Sequence, residues 1–541
     1  MGQIKDVWRL TVNRETPQKL TGILRNVRER FSKRSASNTA ASKRANHTNE
    51  PDRFQSRENT LSPFSSRANQ RRQTSKSARF TQQGKPTRAG RESIVARIIN
   101  AWWTRLLQSI YHGSLSEQEA EYAEHETSRD YLWNTIGTMI WGFSFPILTI
   151  IAVQLAGVEQ AGRFSMAFVT GTLLMIAANY GVRTFQVSDL DERASFASYQ
   201  INRIITSVGA ILLGLLYCSL RGYDPAMTSM SLGVYIYKVI DGLADVYEGR
   251  LQQADKLYLA GVSQALRSAA AVILFALVLL ITRSLMLASA AMALAAAGTL
   301  IVVTIPLAFF ETEKSRRAEL SEVSSLLVQC APLAAGLFLF NLIETMPKIV
   351  MEGALPYDSQ LYFNAMFFPA QGILIAVGFI YRPQLLRLAS IWGNPRRRRR
   401  FDLIVLAMLG LILVITGFMA VVMGSVGVGF LSMVYGLDFE RYKDLAILMV
   451  CAGGITAAID FLYAILTVLR RAGDVMRIYL IAFAASFVLP LILIHILGLA
   501  GAVMSYLAVM GLLLGLLLVD YVRIRQAITR ERNPFSPERN L

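Results

Sequence analysis

Charge is what this chain has least of. Asp, Glu, Lys and Arg make up 17% of its 541 residues, where soluble proteins carry about a quarter. Histidine is rarer still: His47, His112, His125 and His495 are scattered too widely to assemble a metal site. The three cysteines, Cys218, Cys330 and Cys451, each fall in a different apolar run. There is no CxxC and no Cys/His spacing, so neither zinc nor a disulfide framework is indicated, and the thiols read as small buried hydrophobes. Also missing are a glycine-rich nucleotide loop, a Ser/His/Asp arrangement and any loop between the apolar runs large enough to hold a sugar nucleotide. No catalytic residue, metal or cofactor is therefore expected, and the chain is not read as an enzyme.

What is present in excess is apolar sequence. The hydrophobic set supplies 53% of residues, in uninterrupted runs of roughly 20, the length that crosses a bilayer as a helix. These recur from Leu132 to Val522. A soluble enzyme is excluded, and so is a membrane barrel, whose strands alternate over about ten residues. The fold class is an all-α polytopic membrane protein with about twelve spans, placed at 132–155, 164–182, 204–220, 226–249, 257–281, 285–310, 325–350, 359–381, 402–425, 444–469, 478–496 and 500–522.

The net charge of +17 belongs to one segment. Through His112 there are 23 Lys and Arg against 7 Asp and Glu, so the rest of the chain is close to neutral. Residues 1–90 are rich in Ser, Arg, Gln, Asn and Thr, with too few apolar residues to bury a core, and read as a disordered, basic, cytoplasmic arm. Residues 91–130 read differently. Ile94, Ile98, Trp102, Leu106 and Ile110 recur near helical spacing with Arg91, Arg97 and Arg105 between them, predicting an amphipathic helix in the membrane interface. An acidic linker follows. With the N-terminus inside, inner loops and tail hold 23 basic residues and outer loops 5, which predicts both termini in the cytoplasm. The arm and the Arg396–Arg400 cluster are the expected contacts to anionic headgroups.

The loop at 311–324 divides the spans six and six, giving bundles over 131–310 and 325–522 and a tail at 523–541. The halves echo each other: Arg183 closes the second span of the first, Arg382 the second span of the other.

Ionisable residues inside spans are expensive and need an account. Span four carries Lys238, Asp241, Asp245 and Glu248, the three acids at steps of four and three on one face. Counting outward from the turn near Gln253 sets Arg267 of span five opposite residue 239, within reach of Asp241 and of Asp245. A structural ion pair and an ion or substrate site both fit this cluster. Span seven holds Asn341, Glu344, Pro347 and Lys348; span eight holds Asn364, Pro369 and Gln371. Glu344 and Lys348 form an i,i+4 pair with the acid first, and the two prolines mark candidate bends. Lys348 fits either neutralisation of Glu344 or attraction of a pyrophosphate. Asp460 stands alone in span ten, suited to proton linkage or to a buried hydrogen bond, and His495 reads as an interfacial tip.

Four stretches carry a family resemblance: Trp133-Asn134-Thr135; Gly181-Val182-Arg183-Thr184-Phe185-Gln186-Val187-Ser188-Asp189; Asp245-Val246-Tyr247-Glu248-Gly249-Arg250-Leu251-Gln252 with Gly261, Ser263 and Arg267; and Pro347-Lys348 with Asn364 to Gln371, ending Tyr381-Arg382-Pro383-Gln384-Leu385. Over about residues 130–525 the chain resembles the Wzx-like polysaccharide flippases of the multidrug/oligosaccharidyl-lipid/polysaccharide exporter superfamily. The long arm departs from that pattern. The resemblance implies two six-helix bundles around a central cavity in a bacterial cytoplasmic membrane. It also implies a lipid-linked oligosaccharide on undecaprenyl pyrophosphate, moved from inner to outer leaflet by alternating access. On this reading Arg183, Arg267, Lys348, Arg382, Asn364 and Gln371 are the candidate substrate-binding residues. Asp241, Asp245, Glu344 and Asp460 are the candidates for proton or sodium coupling. A monomer is expected, in company with other polysaccharide-assembly proteins. The competing readings are a drug/cation antiporter or a lipid II flippase of the same superfamily, and a non-transporting scaffold of a polysaccharide synthase complex.

Overall fold

A computed structural model describes residues 128–189, 192–393, 398–469 and 472–531. The basic arm, the 91–112 amphipathic segment and Arg396–Arg397 lie outside these. Twelve long helices run through the described residues: α1 (Ser128–Ala156), α2 (Val158–Asn179), α3 (Phe196–Leu220), α4 (Pro225–Gln253), α5 (Leu257–Thr282), α6 (Leu285–Glu311), α7 (Leu320–Met351), α8 (Tyr357–Tyr381), α9 (Arg398–Tyr435), α10 (Lys443–Val468), α11 (Ala472–Leu497) and α12 (Leu499–Glu531). Among the described residues the only β pairing is an isolated bridge between Glu352 and Leu355.

Eleven of the twelve are long and apolar enough to cross a membrane. The exception is α4, the helix that carries Lys238, Asp241, Asp245, Glu248 and Arg250. It is 29 residues long and mostly buried, so its charges face neighbouring helices, not lipid. The outer surface is the reverse of a soluble protein's. Ile281, Leu294, Phe310, Met433 and Ile496 are all more than two-thirds exposed, as lipid-facing positions should be.

Local chemistry sets the helix ends. Asp224 caps α4, its carboxylate accepting from the Met227 amide at 2.6 Å, with Pro225 at the first helical position. Ser195 caps α3 in the same way. Gly157 (φ 89°) and Gly498 (φ 58°) turn the chain between α1 and α2 and between α11 and α12, in a region that penalises side chains. The prolines do not break their helices: α7 continues through Pro332 and Pro347, and α8 through Pro369. Several expected ends shift. α7 begins at Leu320, α9 extends to Tyr435 through a π-helical turn at Met423–Gly427, and α12 runs into the expected tail.

Small residues let helices touch backbone to backbone, the usual device where lipid gives no hydrophobic drive between spans. A Cβ on Gly137 of α1 would lie 2.3 Å from the Gly261 carbonyl of α5, and one on Gly453 of α10 2.5 Å from the Ala370 Cβ of α8. The first six helices pack mainly among themselves. They meet the later six chiefly through α2, which touches α7 and α8, and through α3, which touches α7, with lesser contacts from α1 to α8 and α9.

Candidate functional site

The predicted meeting of Arg267 and Asp241 is present. Arg267 donates from Nε to Asp241 Oδ1 at 2.7 Å and from Nη1 to Glu248 Oε1 at 2.7 Å, and all three side chains are buried. Trp141 of α1 donates its indole N–H to the other Asp241 oxygen at 2.7 Å. Lys238 lies 3.9 Å from that oxygen and 4.2 Å above the Phe168 ring. Ser263 links Glu248 to Thr304.

Asp245 does not join this group, contrary to the single face expected for the three acids. Positions 241 and 248 are seven apart and nearly eclipse on a 3.6-residue helix, whereas 245 is rotated about 60° from 248. That rotation delivers Asp245 to Arg183 Nη1 at 2.5 Å and to Arg203 Nη2 at 2.7 Å. Arg203 also donates to Asn179 Oδ1 at 2.8 Å and is fully buried. It lies just outside the span expected at 204–220; α3 begins eight residues earlier, at Phe196, and so carries Arg203 into the bundle. Arg183 is half-buried in a short helix, Val182–Ser188, and also donates to Gln252. In α2 to α5, four cations (Lys238, Arg183, Arg203, Arg267) thus meet three anions (Asp241, Asp245, Glu248).

In the second half, Asp460 is not alone. It accepts from Tyr381 OH at 2.5 Å and from Arg382 Nη2 at 3.2 Å. The sequence echo therefore has a spatial counterpart: in each half the arginine after the second helix reaches an acid on the fourth. The Arg382 side chain stays 63% exposed, so this pair is the wetter of the two.

Glu344 and Lys348 do not close an ion pair. Glu344, half-buried, accepts from Gln371 Nε2 at 3.0 Å and from Tyr506 OH at 3.2 Å. Among the described residues no cation lies within ion-pair distance of it. The buried Lys348 ammonium stands 3.8 Å from the centre of the Phe367 ring, a cation–π contact. Asn364 donates to Ser165 Oγ at 2.8 Å, joining α8 to α2. Phe168 lies one turn beyond Ser165, and Phe367 one turn beyond Asn364. Each therefore carries a buried lysine on its face close to where the halves meet. The structure brings Arg183 to Asp245, Arg267 to Asp241, Arg382 to Asp460 and Gln371 to Glu344; Lys348 lies against the Phe363 and Phe367 rings.

No group of described residues can hold a metal ion. His495 is exposed and bonds the Leu491 carbonyl of its own helix. Arg398, at the described edge of the Arg396–Arg400 cluster, lies on the Trp392 ring.

No family model and no curated protein matches this sequence. Solved structures do match in shape. One is an inward-facing multidrug resistance MATE family transporter of the MOP superfamily, with a TM-score of 0.57 at 10% identity, over 74% of this chain and 100% of that one. Another is the lipid II flippase MurJ in an inward closed conformation, with a TM-score of 0.55 at 10% identity, over 72% and 87%. A MOP superfamily transporter from Pyrococcus furiosus, described as having a binding pocket of reversed polarity, gives 0.50 at 13% identity, over 75% and 96%. The chain has the fold of the MOP-superfamily transporters. Identity this low carries the MOP fold and leaves substrate to the residues of this chain. Within that fold, the charged side chains above concentrate on α3, α4, α5 and the short helix after α2 in the first half, and on α7, α10 and the turn after α8 in the second.

Proposed function

We propose that this protein is a flippase that carries an undecaprenyl-pyrophosphate-linked oligosaccharide from the inner to the outer leaflet of a bacterial cytoplasmic membrane, by alternating access of the two halves. The observation that carries the reading is the excess of one cation in a single linked cluster. In it Lys238, Arg183, Arg203 and Arg267 meet Asp241, Asp245 and Glu248, and among the described residues Lys348 has no carboxylate at ion-pair distance. An anionic head group would complete that balance, whereas a cationic drug would add to the excess. Arg183 and Arg382, half-buried and exposed at corresponding places, suit the first capture of a pyrophosphate at the cytoplasmic mouth. Asn364 and Gln371 offer amides for sugar hydroxyls.

Glu344 is the coupling residue of this proposal. Its two hydrogen bonds come from neutral groups, so a proton or sodium ion is needed to balance it inside the membrane. The same observation favours the second reading, a drug/cation antiporter in which Glu344 takes the cargo.

The deciding experiment is rescue of a flippase-null strain by this protein, with the accumulated lipid-linked intermediate identified. Restored polysaccharide export with loss of the intermediate supports the flippase. Drug resistance without rescue supports the antiporter. Cysteine labelling at Asp358 from outside, and at Arg317 only after permeabilisation, tests the N-in, C-in orientation on which the direction of flipping depends.

A further inference from the structure

At one end of the bundle the polar fastening between the two halves converges on one side chain. Glu352 follows the last residue of α7, and its carboxylate is buried, with a side-chain exposure of 3%. Among the described residues, every side-chain donor to it comes from the far end of α3 and the turn before α4. Tyr217 OH donates to Oε2 at 2.6 Å and Arg221 Nε to Oε2 at 3.0 Å, while Tyr223 OH donates to Oε1. Arg221 also donates to the Ile349 carbonyl at 2.9 Å and to the Glu352 carbonyl. The guanidinium therefore caps the negative end of α7 as well as pairing with its acid. Tyr217 and Tyr223 meet edge to face at 6.1 Å and complete the pocket.

Lesser contacts lie at the same end. Gly162 of α2 abuts the Tyr357 backbone at the start of α8, so closely that a Cβ would lie 2.1 Å from the Tyr357 carbonyl oxygen, and Arg163 stands over the Tyr357 ring at 5.3 Å. Gln154 of α1 donates to the Val434 carbonyl of α9 at 3.3 Å. The opposite end is fastened differently, with no single hub: Glu322 accepts from the Ser195 amide at 3.0 Å and from Ser198 Oγ at 2.7 Å, the Phe196 amide donates to Ser315 Oγ at 2.9 Å and Arg250 to the Glu313 carbonyl at 3.0 Å, and Val182, Phe196 and Tyr199 pack with Leu326 and Cys330. There Arg183 and Arg382 stay partly open to solvent.

We propose that Glu352 is the latch of a gate at the end carrying the 221–224 and 352–356 turns, and that release of its carboxylate by Tyr217, Arg221 and Tyr223 is what lets α3 and α7 part there. The inference rests on the alternating-access reading above. All donors stand on one half and all acceptors on the other, so any parting at this end must break the whole set together. Hydrogen bonds to a charged group are the strong kind, and a buried carboxylate stripped of several donors at once gives a two-state contact with no halfway position. Opening to water at this end offers the carboxylate new donors, which makes the break reversible.

The test uses full-length protein in nanodiscs, with Cys218, Cys330 and Cys451 replaced by alanine and spin labels on cysteines at Ser229 and Asp358. Both positions are exposed at the gated end, one on each half. Without substrate, the latched protein should give one dominant short distance. Glu352→Gln keeps the shape but removes the charge, and should raise the ratio of long to short distances about tenfold, the scale of one charge-assisted hydrogen bond. Tyr217→Phe and Tyr223→Phe should each raise it severalfold. If Glu352→Gln does not fold, the tyrosine variants decide the matter. Lower melting temperatures with wild-type distance distributions in all variants that fold would assign Glu352 a merely structural role and overturn the latch. Because the distances are read without substrate, their failure leaves the flippase reading standing, and failure of strain rescue leaves the distances standing.

Discussion

Replacing Arg267 with alanine should nearly abolish the folded protein, and replacing Asp241 with alanine along with it should restore much of what was lost. The wild-type pocket is balanced: Lys238 and Arg267 against Asp241 and Glu248. Arg267→Ala removes both 2.7 Å contacts and leaves two buried carboxylates facing one lysine, which lies 3.9 Å from Asp241 and is not bonded to Glu248. Breaking one side of a buried pair costs about 3–5 kcal/mol, against a total stability of about 5–15 kcal/mol. Asp241→Ala leaves the opposite imbalance and orphans the Trp141 indole N–H. The double variant leaves Lys238 and Glu248, one charge of each sign. Its loss should fall short of the sum of the single losses by about 1–3 kcal/mol, the range for residues in one network. The assay is a double-mutant cycle of thermal unfolding in detergent, with membrane expression measured in parallel. Strictly additive losses would refute the charge-balance argument. Recovered expression with export still lost would assign the pair a role in transport as well as in folding.

Arg183→Ala and Arg203→Ala should separate, although both arginines bond Asp245. Arg203 is fully buried, so its loss should lower the melting temperature, whereas Arg183→Ala should leave Asp245 paired with Arg203 and spare stability while export falls; equal melting losses would count against this division. Glu344→Gln should fold normally, because Gln371 and Tyr506 can still donate to an amide oxygen, while ion-driven export is lost; export with unchanged ion dependence would remove Glu344 as the coupling site. Gly261→Ala should cost at least the 1–3 kcal/mol typical of overpacking, since its Cβ would lie 2.3 Å from the Trp133 carbonyl; unchanged yield and melting would show that α1 and α5 can part without penalty.

The sequence by itself determined the class and the layout. A bilayer requires about 20 apolar residues per helix and taxes every ionisable group inside it, so the spans could be read from composition and the charged exceptions marked at once. The helical period and a short turn also sufficed to place Arg267 opposite Asp241, because two neighbouring antiparallel helices leave one register. Tertiary structure decided what depends on three or more helices. Asp245 turns to Arg183 and Arg203 because a rotation of about 60° along α4 faces a different neighbour. Glu344 and Lys348, an apparent pair by spacing, are drawn apart by Gln371 and Tyr506 on one side and Phe367 on the other. Glu352 stands at a helix end in an ordinary-looking turn, and its importance arises from residues 129 to 135 positions earlier in the chain. Periodicity acts within a helix and turn length between adjacent ones; the rotation of each helix in the bundle is set by the packing of all of them.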